Sequence, residues 1–173
     1  EKVLTESIEA LKNESQHMKE LVEQLLFLAR GDSGRNTLNK VKLDLNQMVS
    51  EVWEESQMID EKHRYLFRGT DPAYMTGDIA MIKQSIRIFV QNAAKYSSDG
   101  ADITLGVMLE SGYVSYMIQD EGIGMESSDV VHIFERFYRS DEARNSETGG
   151  SGLGLSIAKW IVDAHSGTIQ VVS

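Results

Sequence analysis

Four short stretches hold the side chains that could do chemistry, and they stand in a fixed order: QNAAKYS at 91–97, DEGIGM at 120–125, FERFYR at 134–139 and GGSGLGLSIAK at 149–159. Asn92 offers a neutral carbonyl oxygen, the hard ligand that Mg²⁺ accepts while keeping several waters. Lys95, one helical turn later, offers a point charge for phosphate. Asp120, placed after a run of strand formers, can accept a hydrogen bond from an amino group on a base. A buried carboxylate there would select adenine, because guanine presents a carbonyl at that position. Gly122 and Gly124 let the backbone approach a flat base and permit positive φ. Gly150, Gly152 and Gly154 run into a helix start, where unpaired N–H groups and the helix dipole favour a polyphosphate. Singly, each stretch has a plain reading: DxGxG arises by chance after a strand, NxxK is a solvated helix face, and a glycine run can be a helix-cap loop. Four together in this order describe a nucleotide site.

The elements that must position these groups follow from periodicity. Residues 1–30 place Leu4, Ile8, Leu11, Ser15, Met18, Val22, Leu25 and Ala29 at alternating spacings of four and three, the seam of a helix that packs against other helices. Leu21, Leu26 and Leu28 widen the stripe toward a bundle, and such a helix needs a partner to bury it. GDSGRNTLN at 31–39 reads as a stop and linker, with the linker extending to residue 42. A helix follows, with Leu45, Met48, Val49, Val52, Trp53 and Ile59 on one face. A short strand is expected at 65–68. A second helix at 78–95 turns Ile79, Ile82, Ile86, Phe89, Val90 and Ala93 inward. Strands at 101–110 and 113–119 form a hairpin through Ser111 and Gly112. A short helix is expected around 129–137, a main helix at 153–165 and a last strand at 168–172. Helices alternating with hairpin strands give an α/β fold, a two-layer α/β sandwich with a mixed sheet, preceded by the long bundle helix.

Composition narrows the functional classes. The chain has 173 residues, 41% hydrophobic and 25% charged, enough for one domain with a core plus an appendage. Cys is absent, which removes disulfides and thiolate metal sites. A formal net charge of -10 argues against a nucleic-acid partner. No apolar run is long enough to cross a bilayer and the first residues lack a signal-peptide layout, so direct membrane contact is not expected of this fragment. The chain begins without Met and reads as a piece of something longer.

The four stretches resemble the N box (92–97), first G box (120–124), F box (134–137) and second G box (150–154) of bacterial sensor histidine kinases, members of the GHKL ATPase superfamily. The likeness covers residues 43–173, and FERFYRSD and GLGLSIAKWIVDAHSGT carry it most specifically. Residues 1–33 resemble the second helix of that family's dimerisation and phosphotransfer domain, whose usual ending is similar to LLFLARGDSG at 25–34. The resemblance implies a Bergerat-type ATP-binding fold and the cofactors ATP and Mg²⁺. Asn92 would hold Mg²⁺, Lys95 would contact phosphate, Tyr96 would pack on the nucleotide and Asp120 would bind the adenine amine. Gly122, Ile123 and Gly124 would shape the base pocket together with Phe137. Gly150, Ser151, Gly152, Leu153, Gly154 and Leu155 would close over the phosphates. Arg139 and Arg136 would neutralise charge on the γ-phosphate, and residues 125–150 would form the lid. The implied reaction is transfer of the γ-phosphoryl group to a histidine on a helix missing from this chain, then to an aspartate on the receiver domain of a response regulator. The implied setting is the cytoplasmic portion of a membrane-anchored bacterial sensor, homodimeric through the bundle helix.

Two departures stand out. One turn before Asn92, where the family commonly has a polar residue and hydrolytic relatives such as gyrase place a Glu, this chain has Ile88, which can neither bind metal nor activate water. Nor is there a His followed by an acidic residue and a Pro: the only Pro is Pro72. His17 is followed by Met-Lys and reads as structural or surface. His63 and His132 read as solvated, His165 as a helix cap. Met48, Met58, Met81 and Met117 read as core filler, Trp53 and Trp160 as core anchors. Arg136 has the alternative of a lid salt bridge. The rival functions are a nucleotide sensor without catalysis, a protein kinase of the same superfamily such as an anti-sigma factor or a mitochondrial dehydrogenase kinase, and a pure dimerisation module.

Overall fold

The structure, a computed structural model, describes residues 2–110, 112–140 and 150–173. The helix start at Glu1, the turn residue Ser111 and most of the expected lid, 141–149, lie outside the described residues. The chain divides into two units, Glu1–Thr37 and Leu38–Ser173.

The first unit is one long helix, α1 (Lys2–Asp32). The 4–3 spacing does what it must: Leu4, Ile8, Leu11, Met18 and Val22 share a stripe, and all are exposed. A backbone bond from Gly34 to Gly31 and a left-handed Gly34 (φ 65°) close the helix end. The Asn36 amide donates back to the Phe27 carbonyl at 3.0 Å.

The second unit runs β1 (Val41–Asp44), α2 (Leu45–Ile59), β2 (Arg64–Arg68), β3 (Tyr74–Gly77), α3 (Ile79–Tyr96), β4 (Asp102–Glu110), β5 (Tyr113–Asp120), α4 (Ser127–Val130) and α5 (Gly154–Ala164). β2 pairs parallel with β4 and β4 antiparallel with β5, which makes the sheet mixed. β1 and β3 form a separate antiparallel pair. The core lies between the sheet and the helices, where Ile103 and Leu105 of β4 meet Val49 and Val52 of α2 and Ile86 and Val90 of α3. This is the expected α/β architecture. The Tyr116 hydroxyl of β5 lies 3.0 Å from Ser85 Oγ of α3, and burial pushes that phenol up to about 12.

Several local expectations change. β1 and β3 were not anticipated: each has four residues, too few for a period to register. The short helix ends at Val130 rather than Phe137; beyond it the chain turns, fixed by a 2.6 Å bond from the Tyr138 hydroxyl to Asp129 Oδ1. Residues 168–172 alternate like a strand but have no ladder partner among the described residues and so form none. Ile59 and Met58 are 84% and 82% exposed, and Ile79 is exposed too, because they sit at helix ends that outrun the sheet beneath.

His63 is also not solvated. Its side chain is 5% exposed, with Nδ1 2.6 Å from Asp60 Oδ2 and Nε2 3.3 Å from the Ser97 carbonyl. Both ring nitrogens face acceptors, so only the imidazolium satisfies both. Burial opposes the charge, but the bonds to Asp60 and Ser97 outweigh it and raise the His63 pKa above its ordinary 6.5. Burial likewise works against the Asp60 carboxylate, and bonds from Tyr65, His63 and the Lys62 N–H hold it below 3.8. The stability from His63 is therefore complete below pH 6.5 and is lost as pH rises through the raised value; that from Asp60 is lost as pH falls through its lowered one. The melting temperature of the unaltered chain should fall between pH 6.5 and 9 relative to His63→Gln. Parallel curves for the two proteins over that range would contradict the charged pair.

Candidate nucleotide site

The site is assembled from the C-terminal half of α3, the loop after β5 and the N-terminus of α5. α3 starts at its cap Asp78, whose Oδ1 accepts from the Met81 N–H at 3.1 Å, and ends at Tyr96. That span puts Asn92 and Lys95 on the last turns and leaves the Tyr96 carbonyl free of the helix ladder. The carbonyl accepts from the Ile123 N–H at 3.2 Å, which ties the loop after β5 to the end of α3. Gly122 is where they meet. A Cβ there would lie 2.6 Å from both the Tyr96 oxygen and Asp120 Oδ1, so no other residue fits without moving backbone. Asp120 Oδ1 accepts from the Gly122 N–H at 2.9 Å, and among the described residues Oδ2 has no partner. Asp120 is exposed rather than buried. Ile123 is exposed and Gly124 is left-handed, φ 71°.

The second junction joins α3 to α5. A Cβ on Gly150 would lie 2.5 Å from Lys95 Nζ, and one on Gly154 3.5 Å from Ile88 Cγ2. The Lys95 ammonium also sits 5.1 Å from the centre of the Tyr96 ring. Leu153, the N-cap of α5, supplies no side-chain acceptor to the first turn, so the helix start keeps donors for an anion. Leu153 is fully buried and Leu155 half-buried; the Leu153 N–H donates to Ser151 Oγ at 3.2 Å.

The third junction is the F-box segment. Phe137 has φ 64°, uncommon for an aromatic residue, and its ring is exposed. Its N–H donates to the Gly152 carbonyl at 2.9 Å. Gly152 is left-handed in turn, φ 70°, and a Cβ on it would lie 2.8 Å from Phe137 Cα and carbonyl carbon. Arg136 is exposed and Arg139 half-buried.

The structure thus brings Asp120, Gly122 and Tyr96 together, and Lys95 with Gly150. Two concavities of about 370 and 390 Å³ lie elsewhere, around Asp60, Lys62 and His63. Lys95 lines the first; Asn92 and Asp120 line neither. Among the described residues no three acidic or histidine side chains cluster as a metal site. Sequence reasoning missed the part played by the Tyr96 carbonyl, since a backbone atom leaves no trace in residue type.

Residues 77–173 match the HATPase_c family, described as histidine kinase-, DNA gyrase B- and HSP90-like ATPases. The chain belongs to this family. As an HATPase_c member it is an ATP-binding domain, and its relatives lean toward one branch. It is 40% identical over 171 residues to the sensor histidine kinase YkoH of Bacillus subtilis, covering 99% of this chain and 37% of that protein. Against the sensor histidine kinase WalK of the same organism it is 35% identical over 162 residues, covering 91% and 26%. The mycobacterial sensor histidine kinase MprB superposes with a TM-score of 0.64 at 25% identity, covering 73% of this chain and 80% of that one. The chain spans little more than a third, or less, of the two Bacillus relatives.

Proposed function

We propose that this HATPase_c chain is the catalytic part of a sensor histidine kinase, which transfers the γ-phosphoryl group of Mg-ATP to a histidine outside the chain for relay to a response-regulator aspartate. The observation that carries this reading is the double junction at the end of α3, where Gly122 and Asp120 adjoin Tyr96 and Gly150 adjoins Lys95. An adenine amine would donate to Asp120, phosphates would lie between Lys95 and the α5 N-terminus, and Asn92 would supply one oxygen to Mg²⁺. The metal would draw charge from the phosphate oxygens. Arg139, and Arg136 beside it, would be brought to the γ-phosphate by the F-box segment.

Ile88 favours transfer over hydrolysis, because an alkyl group packed against Gly154 cannot activate water. Ile88 equally suits a second reading, a nucleotide sensor that binds ATP without catalysis. The four His residues of the chain lack a following acidic residue and Pro, so the chain is not its own acceptor. The exposed apolar stripe of α1 supports a role for residues 1–30 as one helix of a dimerising bundle. The linker expected at 31–42 is shorter, since α1 runs to Asp32 and β1 begins at Val41 inside the unit Leu38–Ser173, which we read as the catalytic domain. Among the described residues no helix can cross a membrane. We place the chain on the cytoplasmic side of a membrane-anchored bacterial sensor.

Incubation with γ-labelled ATP tests the reading. The chain alone should gain no acid-labile label, and a bundle domain bearing a His with its acidic and Pro neighbours should gain it in trans. Label on the chain alone would overturn the acceptor assignment. ATP binding with no transfer in trans would leave the sensor reading in its place.

A further inference from the structure

His165 reads from sequence as a helix cap, and it is one: Nδ1 lies 2.7 Å from the Ile161 carbonyl, one turn back in α5. Its other nitrogen has a partner that a cap does not need. Nε2 lies 2.9 Å from the backbone nitrogen of Asp78, the N-cap of α3, across 87 residues of sequence. A backbone N–H can only donate, so Nε2 must be the bare nitrogen and Nδ1 must bear the proton given to Ile161. The two backbone partners fix the neutral ring in one tautomer.

Asp78 is itself held rigidly. It is buried, Oδ1 caps α3 at Met81, and Oδ2 accepts from the Asn39 N–H at 2.8 Å. Beside it, a Cβ on Gly77 would collide with Ile82 Cδ1 and lie 3.1 Å from His165 Cδ2, so the glycine leaves room for both the Ile82 side chain and the ring. Along the helix pair the neighbours run 78 with 165, 88 with 154, and 95 with 150. α3 and α5 are therefore antiparallel, bonded at one end through His165 and facing each other across Lys95 and Gly150 at the other. α5 is rigid along its axis and spans roughly 16 Å at 1.5 Å per residue, so displacement at one end is carried to the other.

We propose that His165 is a positioning residue: its bond to the cap of α3 sets how α5 lies along α3, and thereby holds the Gly150–Gly154 loop at phosphate distance from Lys95. This rests on the nucleotide reading above. An ordinary cap, such as Asn or Lys, satisfies the Ile161 carbonyl alone. A neutral imidazole presents a donor and an acceptor on opposite sides of a flat ring, and here both are used.

The test uses the whole chain with ring ¹⁵N spectra and calorimetry with Mg-ATP. The His165 ring should be protonated at Nδ1 and bare at Nε2, the minor tautomer of free histidine in water. His165→Asn, which keeps a donor near Ile161 but has no atom at Nε2, should bind ATP at least about tenfold more weakly while unfolding cooperatively. His165→Gln, whose Oε1 can reach the Asp78 N–H, should recover part of that loss. A ring protonated at Nε2 overturns the proposal, and so does a folded His165→Asn that binds ATP like the unaltered chain. If His165→Asn does not fold, equal ATP affinities for His165→Gln and a folded His165→Leu overturn it instead. Absence of ATP binding by the unaltered chain would overturn the nucleotide reading and this role with it, whereas the tautomer would still report the bond.

Discussion

Asp120→Asn should weaken ATP binding by about a hundredfold or more, read by calorimetry, and leave the melting temperature within a degree or two. The reasoning is local. Asp120 Oδ1 is engaged by the Gly122 N–H, and Oδ2 has no partner among the described residues. An asparagine of the same shape can keep the Gly122 bond through its oxygen, but then turns an N–H₂ toward the position where adenine also presents a donor. Two donors facing each other lose the bond and leave both unsatisfied. The exposed position of Asp120 means that little folding energy rides on it. A guanine carbonyl would meet that N–H₂ favourably, so the ratio of ATP to GTP affinity should also fall. Unchanged ATP affinity would remove Asp120 from the site.

Gly152→Ala should reduce ATP affinity more than tenfold and lower stability by about 1–3 kcal/mol. Two costs combine. Residue 152 has φ 70°, where an L side chain is strained by ~1–2 kcal/mol. The new Cβ would also lie 2.8 Å from Phe137 Cα and carbonyl carbon and 2.9 Å from the Tyr138 oxygen, backbone atoms that cannot swing aside. Relief requires the F-box segment and the glycine loop to part, which breaks the Phe137–Gly152 hydrogen bond and displaces the start of α5. Gly100→Ala separates the two costs, since Gly100 has φ 88° with nothing within 4 Å of its Cβ position. It should lose ~1 kcal/mol of stability and no ATP affinity. Equal behaviour of the two variants in ATP binding would mean that the Phe137 contact plays no part in the site.

Much of the fold is legible in the sequence. α1, α2, α3 and α5 arise from apolar positions at helical spacing, and the β4–β5 hairpin from two strand-like runs around Gly112. The errors fall where the signal is short or ambiguous. β1 and β3 hold four residues each, and residues 168–172 alternate correctly with no strand to pair with. His63 was misread because a histidine beside charged residues looks solvated, whereas Asp60 at the end of α2 and the Ser97 carbonyl at the end of α3 converge on it, and Tyr65 of β2 holds Asp60 in place.

By itself the sequence determined which chemical groups the proposed site draws on and their order along the chain: an amide, an ammonium, a carboxylate and glycines that run into a helix. Those are matters of residue type and local period, which a linear string records in full. The tertiary structure alone decided which backbone atoms tie these segments together. The Tyr96 carbonyl against Gly122, the Gly152 carbonyl on Phe137 and the Asp78 N–H on His165 join segments up to 87 residues apart. Every residue carries the same backbone groups, so their pairing is invisible until packing brings the segments together.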